Sequence, residues 1–154
     1  MILLGIIWNP VYYECEKIIK DIEITNCVLE TKTLNLESNL AHFIREIYNY
    51  PKDQKWRSEL KTKDLVAISN KKVCVLKILF KSQKKVYYAE KDKIMYEEVL
   101  ALKNRIRNKY KKCFINGKKR LIYPENVFHL ADNPEESILQ SNVIEKYYQM
   151  NRGN

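Results

Sequence analysis

Runs of apolar residues predict the strands of this chain. Residues 2–8 (ILLGIIW) are continuously apolar and stop at Asn9-Pro10, as in a central strand that is buried on both faces. Residues 28–34 (VLETKTL) alternate between apolar and polar types and are rich in β-favouring residues. This second pattern indicates a half-buried strand.

Two further strand-like runs cover residues 65–68 and 73–80. Polar residues 70–72 separate them, which favours a hairpin. Residues 127–128 form a short apolar pair near the end of the chain. Segment 52–63 is polar and lysine-rich around a lone tryptophan, and it predicts a loop or an irregular turn.

Other segments carry apolar side chains at steps of three and four residues, which places them on one stripe of a helix. The first helix follows Pro10, the second follows a cap at Ser38 or Asn39 and is closed by Pro51, and the third covers about residues 94–112. Their predicted inner stripes are Val11, Cys15, Ile18 and Ile22; Leu40, Ile44 and Ile47; and Met95, Val99, Leu102 and Ile106.

The last helix has a distinct start signal. Asn133 is placed to cap it, Pro134 occupies its first position, and Glu136 stands where it completes a capping box. The predicted inner stripe of this helix is Leu139, Val143, Tyr147 and Met150.

Two β-α units followed by more strands and helices favour one fold class. It is a ferredoxin-like α/β sandwich, a mainly antiparallel sheet covered by helices, rather than a doubly wound parallel sheet. We expect residues 1–150 to form a single domain and residues 151–154 a C-terminal tail.

Positive charge is concentrated in the middle of the chain. The net charge is +9, and residues 51–120 hold 22 basic and 7 acidic side chains. This imbalance favours an anionic partner such as a nucleotide, a nucleic acid or a membrane surface. The third helix is expected to expose a basic side made of Lys103, Arg105, Lys109 and Lys111.

Scarce glycine and scattered cysteine exclude several classes of site. Three glycines cannot build the phosphate cradle of a P-loop or of a dinucleotide fold. The apolar N-terminal run lacks a basic leader and no later run reaches about 18 apolar residues, so we expect a cytoplasmic chain. No C-x-x-C spacing supports a zinc knuckle, and we expect reduced, buried thiols at Cys15, Cys27, Cys74 and Cys113.

The two histidines have different surroundings. His42 lies on the outer face of the second predicted helix, and we give it no role. His129 falls where a short apolar strand ends, just before the capped helix start. Free backbone amides and the helix dipole favour an anion at such a place, so this imidazole is a candidate to meet a phosphate.

Residues 126–137 (NVFHLADNPEES) resemble the active-site segment of nucleoside diphosphate kinases, which is Asn-x-x-His-Gly-Ser-Asp-Ser followed by an acidic helix start. The resemblance extends weakly along most of the chain. Tyr48 and Trp56 have the eight-residue spacing of an aromatic pair in that family, and the segment from Arg105 to Tyr110 is similar to its Ile-Arg-Gly-aromatic segment.

The resemblance implies a ferredoxin-like fold and a ping-pong transfer of a phosphoryl group through a phosphohistidine at His129. It implies Mg²⁺ carried by the nucleotide, ATP binding and a homo-oligomer. The nucleotide-binding residues that it implies are Arg107 for charge, Asn126 for the sugar hydroxyl, Trp56 for the base, and also Tyr48 and Arg105.

The chain departs from the family pattern at four places, one of which is a longer segment between Arg107 and His129 that contains Cys113 to Tyr123. Trp8 or Asn9 stands where the family has a phosphate-site lysine, and Leu130 replaces the glycine that follows the histidine. The glutamate expected to orient the histidine falls near Gln140. We expect a residue of the basic middle segment to replace the lysine if catalysis persists.

Two alternatives stay open. The first is a catalytically silent ferredoxin-like module whose basic segment binds nucleotide or nucleic acid through phosphates. The second is an assembly subunit whose basic face meets an acidic protein. Core packing is the structural alternative for Trp56, and a hydrogen bond to a loop carbonyl is the structural alternative for His129.

Overall fold

The fold is a four-stranded antiparallel sheet covered by helices. A computed structural model describes residues 1–8, 14–49, 55–68, 71–115 and 117–152, without the side chains of 55–57, 68, 113–115 and 152. In chain order the elements are β1 (Ile2–Ile7), α1 (Cys15–Glu23), β2 (Cys27–Asn35), α2 (Leu40–Ile47), α3 (Lys55–Ile68), β3 (Lys72–Leu79), β4 (Lys85–Tyr88), β5 (Lys93–Tyr96), α4 (Glu97–Tyr110), β6 (Lys112–Ile115), β7 (Lys118–Leu121), β8 (Phe128–Leu130) and α5 (Pro134–Arg152).

The order of strands in the sheet is β2-β3-β1-β8, and every neighbouring pair is antiparallel. The strands β1 and β2 therefore run parallel with β3 between them, and β3 and β8 run parallel with β1 between them. This arrangement is ferredoxin-like, so the predicted fold class is confirmed. Two separate hairpins, β4-β5 and β6-β7, are added to the sheet's connections.

Burial along the strands explains the layers. The inner strand β1 is buried from Leu3 to Ile7, on both of its faces, whereas the edge strand β2 alternates between exposed and half-buried positions. A strand buried on both faces needs cover on both sides of the sheet. Helix α1 contacts α4, and α2 contacts α5.

Gly5 permits the close approach of β8 to β1. A side chain at this position would place its Cβ 3.0 Å from the Phe128 ring and 3.2 Å from the Ile78 side chain. The register pairs Ile6 with His129 and Gly5 with Leu130. Glycine at this position therefore lets β8, which carries the candidate histidine, pair closely with the core.

The loop predicted for 52–63 and the strand predicted for 65–68 are wrong over the described residues, because 55–68 form helix α3. Ser58, Thr62 and Leu65 are buried at helical spacing. The Ser58 hydroxyl donates to the Arg45 carbonyl at 2.9 Å, and the Thr62 hydroxyl donates to the Ser58 carbonyl at 2.7 Å. The inner face of α3 therefore includes hydroxyl groups that are hydrogen-bonded to carbonyls. A search for apolar residues alone does not detect such a face.

The hairpin predicted between 65–68 and 73–80 is also wrong, since β3 pairs with β1 and β2. The third helix begins at Glu97, after strand β5, so Met95 lies in a strand. Among the cysteines, Cys74 is buried, Cys15 is half-buried and Cys27 is exposed. The prediction of buried thiols is therefore wrong for Cys27.

The start of α5 is confirmed and its inner stripe is corrected. The Glu136 amide donates to Asn133 Oδ1 at 2.8 Å, while the Glu136 carboxylate accepts from the Asp132 amide at 3.3 Å. Leu139 and Met150 are exposed. Tyr147 is buried as predicted, and the other buried positions include Ser137, Gln140 and Ile144.

Several predictions lie outside the described residues. They concern Asn9, Pro10, Val11, Pro51, and the side chains of Trp56 and Cys113. Among the described helices, none combines the length with the apolar composition that crossing a bilayer requires.

Candidate active site

His129 lies at the wall of a cavity of about 500 Å³. His129 is only 6% exposed, and all three residues of its strand, β8, are buried. The cavity is lined from several elements: Tyr48 after α2, Lys61 from α3, Lys85, Lys91, Lys93, Ile94, Met95 and Tyr96 from the β4-β5 hairpin, Lys103 and Arg107 from α4, Glu125, and Leu130, Asp132, Asn133 and Glu136 around the start of α5.

Gln140 sets the tautomer of His129. The Gln140 amide nitrogen donates to the Ile47 carbonyl at 3.1 Å and to Glu136 Oε1 at 3.0 Å, so the amide oxygen must face the other way. That oxygen lies 2.8 Å from His129 Nε2. Because Gln140 Oε1 can only accept, Nε2 carries the ring proton and Nδ1 carries the lone pair.

His129 is neutral at neutral pH. Burial, together with the positive charges of Lys103 and Arg107, lowers the pKa of His129 to about 3 against the opposing effect of the Gln140 hydrogen bond. The Glu136 carboxylate lies 3.6 Å from Nε2. Since the imidazole is uncharged, this approach is not an ion pair. Burial, and then the nearby Asp132 charge, raise the pKa of Glu136.

A buried cluster of charge lies beside the histidine. Lys103 is only 6% exposed and pairs with Asp132, whose second oxygen accepts from Lys93 Nζ at 3.0 Å. Burial opposes ionisation of Asp132, but Lys103 and then Lys93 overcome it and hold the pKa of Asp132 below its usual value. The net effect is an ionised carboxylate held between two lysines.

Arg107 lies one turn beyond Lys103 on the same face of α4, because the two are four residues apart. Its Nε donates to the Phe128 carbonyl at 2.9 Å, next to His129 in the chain. Both cations line the cavity. The structure therefore brings the predicted Arg107 and His129 to one cavity.

Tyr48 forms an aromatic wall beside the histidine. Its ring meets the His129 ring edge-on, with ring centroids 5.2 Å apart. Its hydroxyl accepts from the indole nitrogen of Trp8 at 3.0 Å. Trp8 is one of the two residues that stand where the family has its phosphate-site lysine. It is fully buried and is therefore part of the core.

The other predicted residues are placed differently. Arg105 does not line the cavity; its guanidinium donates to the Asp21 carbonyl at 2.9 Å and to Thr25 Oγ1 at 3.1 Å, at the end of α1. Helical geometry explains why Arg105 and Arg107 have different surroundings, because they are two residues apart on α4 and this separation is about half a turn. Asn126 is buried, and its Oδ1 accepts from Lys61 Nζ at 3.2 Å. The base-stacking role was predicted for Trp56, whose side chain lies outside the described part of the chain.

Lys103 is the functional candidate that sequence reasoning missed, whereas Gln140 was found in the sequence as the residue near the place of the family's orienting glutamate. The sequence predicts Lys103 on an exposed basic face, which is wrong. Its spacing of four from Val99 and three to Ile106 places it on the buried stripe of α4, and this spacing is the signal that could have found it.

Comparisons with known proteins support the architecture. No family model and no curated protein matches the sequence. Among solved structures, the chain is similar to a nucleoside-diphosphate kinase from Borrelia burgdorferi, determined as a transition state mimic with bound vanadate and ADP. The TM-score is 0.54 at 15% identity, over 93% of this chain and 85% of that chain.

This chain has a nucleoside diphosphate kinase-like fold. The resemblance of the sequence to that family is thus supported at the level of the fold.

Proposed function

We propose that the cavity binds a nucleoside phosphate and that His129 transfers a phosphoryl group between nucleoside tri- and diphosphates. The observation that carries the proposal is the hydrogen bond between His129 and Gln140, which leaves the lone pair on Nδ1 of a neutral ring. A neutral imidazole nitrogen beside cationic groups is the nucleophile that phosphoryl transfer to nitrogen needs. The volume of about 500 Å³ suits a nucleotide-sized ligand.

In the proposed first half-reaction, Nδ1 attacks the γ-phosphorus and the bond to the β,γ-bridging oxygen breaks. The electron pair of that bond leaves with the nucleoside diphosphate, which departs. In the second half, a terminal oxygen of another diphosphate attacks the same phosphorus and the N–P bond breaks, which restores the neutral ring. The proton on Nε2 stays with the Gln140 hydrogen bond throughout.

The cations of the cavity supply the charge that this reaction requires. Lys103 and Arg107 flank the histidine and stabilise negative charge on the transferring group. We assign to Lys103 the place of the lysine that the first strand lacks. Lys61, Lys85 and Lys93 line the same cavity and are suited to the remaining phosphates. Mg²⁺ enters as part of the nucleotide substrate.

The competing hypothesis is a catalytically silent module with the same fold. One observation favours it: His129 is 6% exposed, and a nucleophile must reach its phosphorus. The silent module would use the same cavity cations to hold a phosphate ligand without forming a bond. The homo-oligomer implied by the family resemblance remains a proposal for either hypothesis.

Labelling with γ-labelled ATP and Mg²⁺ separates the two hypotheses. We expect the wild-type chain to acquire an acid-labile, alkali-stable phosphate, and ³¹P NMR to place it on Nδ1. His129→Gln should lose the label. His42→Gln is the matched control, because His42 is the other histidine and is exposed, and it should keep the label.

Circular dichroism checks that His129→Gln is folded. A folded wild-type chain that takes up no label, or a label that persists in His129→Gln, would reject phosphoryl transfer at this residue.

Lys103→Met provides a second measurement. It should lower the labelling rate while ATP still protects the cavity lysines from acylation, whereas a rate equal to that of the wild type contradicts the role of Lys103.

A further inference from the structure

The β6-β7 hairpin and the residue before it carry a group of mostly exposed cations, which we call the hairpin cations. Every residue of β7 is exposed. No acidic residue occurs between positions 111 and 124. The hairpin cations take part in no ion pair among the described residues. They are Lys111, Lys112, Lys118, Lys119 and Arg120.

A groove of about 590 Å³ runs between this hairpin and α3. Its lining includes Lys111 and Arg120 from the hairpin, together with Leu121 and Tyr123. Leu121 is 68% exposed and Tyr123 is 70% exposed. Asp64 on α3 is the acidic side chain that lines it. An excess of positive charge thus lies beside an aromatic ring that is open to solvent.

The backbone holds this combination in place. The Ile122 amide donates to the Lys111 carbonyl at 2.8 Å, which extends the hairpin ladder to the residue before Tyr123. The Asn126 amide donates to the Tyr123 carbonyl at 2.9 Å, which closes the following turn. Tyr123 is therefore presented from an ordered backbone next to the cations.

We infer that the hairpin cations and Tyr123 form a binding surface for single-stranded nucleic acid. Exposed cations attract phosphates, and an open aromatic ring stacks on a base without requiring a particular sequence. Alternate residues of a strand, such as Lys118 and Arg120, lie about 7 Å apart on one face, so they can meet successive phosphates of an extended strand. The row of cations together with the neighbouring ring favours a nucleic-acid strand, which presents both phosphates and bases.

The surface adjoins the proposed active site without being part of it. Asn126 lines the groove, and its hydrogen bond from Lys61 connects it to a residue that lines the cavity. The hairpin cations do not line the cavity. Nucleic-acid binding therefore does not depend on phosphoryl transfer at His129, and the two proposals can fail separately.

Fluorescence anisotropy of the full chain with a labelled oligothymidine of about 15 nucleotides tests the inference. Over about 50 to 200 mM salt the affinity should fall steeply. The variant Lys118→Gln/Lys119→Gln/Arg120→Gln should bind at least about tenfold more weakly and lower the salt slope by about 1.4, because Lys118 and Arg120 each lose a phosphate contact that is worth about 0.7. Tyr123→Ala should weaken binding by about tenfold with the slope unchanged, and Tyr123→Phe should restore it.

Lys17→Gln/Lys20→Gln/Lys81→Gln is the matched control, since it removes the same charge from exposed positions elsewhere. It should bind nearly as the wild type does. The inference is overturned if the wild type does not bind at the lowest salt, if the control loses as much affinity as the hairpin variant, or if Tyr123→Ala has no effect. Displacement of the oligonucleotide by an equal charge of oligoglutamate would point instead to an acidic protein, and would also overturn it.

Discussion

The cavity around His129 and the β6-β7 hairpin use positive charge in opposite ways. In the cavity Lys103 is buried against Asp132, and the Arg107 guanidinium donates to a backbone carbonyl. On the hairpin the cations, except the half-buried Lys111, are exposed, and none takes part in an ion pair among the described residues. A buried charge without a partner costs several kcal/mol, whereas an exposed one keeps its water. In these two regions the buried cations have protein partners, whereas the cations of the hairpin keep their water.

The largest expected effect comes from breaking the buried pair. Asp132→Ala leaves Lys103 buried without its carboxylate, and should lower the free energy of unfolding by about 3 kcal/mol. Urea unfolding at neutral pH measures this loss. The matched control is Glu46→Ala, which breaks the exposed pair with Lys146 and should cost less than about 1 kcal/mol. Equal losses in the two variants would contradict the contrast between buried and exposed charge.

A smaller effect is expected from pH. The pKa of His129 is lowered from 6.5 to about 3, first by burial. Below pH 6.5 the unfolded chain therefore binds a proton that the folded chain does not bind, and the free energy of unfolding falls as the pH falls. One proton is worth about 1.4 kcal/mol per pH unit, so this histidine should cost about 2 kcal/mol between pH 6.5 and about pH 5.

Unfolding of two variants across this pH range isolates that contribution. His129→Gln should lose this part of the slope, because glutamine does not titrate. His42→Gln is the matched control: it removes the exposed histidine and leaves His129 in place, so it should keep the wild-type slope. A full slope in His129→Gln would show that burial of this ring does not set the pH dependence.

The smallest effects distinguish packing from backbone geometry in the two regions. Gly5→Ala pushes a Cβ against the Phe128 ring and should lower the free energy of unfolding by about 1.5 kcal/mol. Gly117, in the hairpin turn, has a φ of 78° and open space around it, so Gly117→Ala should cost about 1 kcal/mol through backbone strain alone. Thermal unfolding measures both. Gly117→Asn should recover most of the loss, because asparagine tolerates this conformation; no recovery would contradict the backbone explanation.

The fold was predictable where residues repeat with a clear period. The apolar run of β1, the alternation of β2 and the cap at Asn133 all predict the elements found. Helix α3 was not predictable in this way, because Ser58 and Thr62 fill its inner face and are stabilised there by carbonyl acceptors. A polar residue can be buried only when an acceptor is present, and the sequence does not show which acceptor will be near.

The candidate site likewise has parts that the sequence predicts and parts that it does not. The position of His129 at a strand end before a capped helix is local information, and the strand and the cap are both found. Arg107 lines the cavity, whereas the Arg105 guanidinium donates to the Asp21 carbonyl at the end of α1. Two arginines on one helix cannot be separated by composition alone, because half a turn decides which neighbour each one meets.

The amino-acid sequence by itself determined the order of most strands and helices, the surplus of positive charge in the middle of the chain, and a histidine beside a helix start. Only the tertiary structure decided that Lys103 is buried and that Gln140 holds His129 in one tautomer. Gln140 is anchored to the Ile47 carbonyl, which is 93 residues away along the chain. The physical reason is that burial of a polar group depends on partners from distant segments, which come together only when the sheet and its helices have packed.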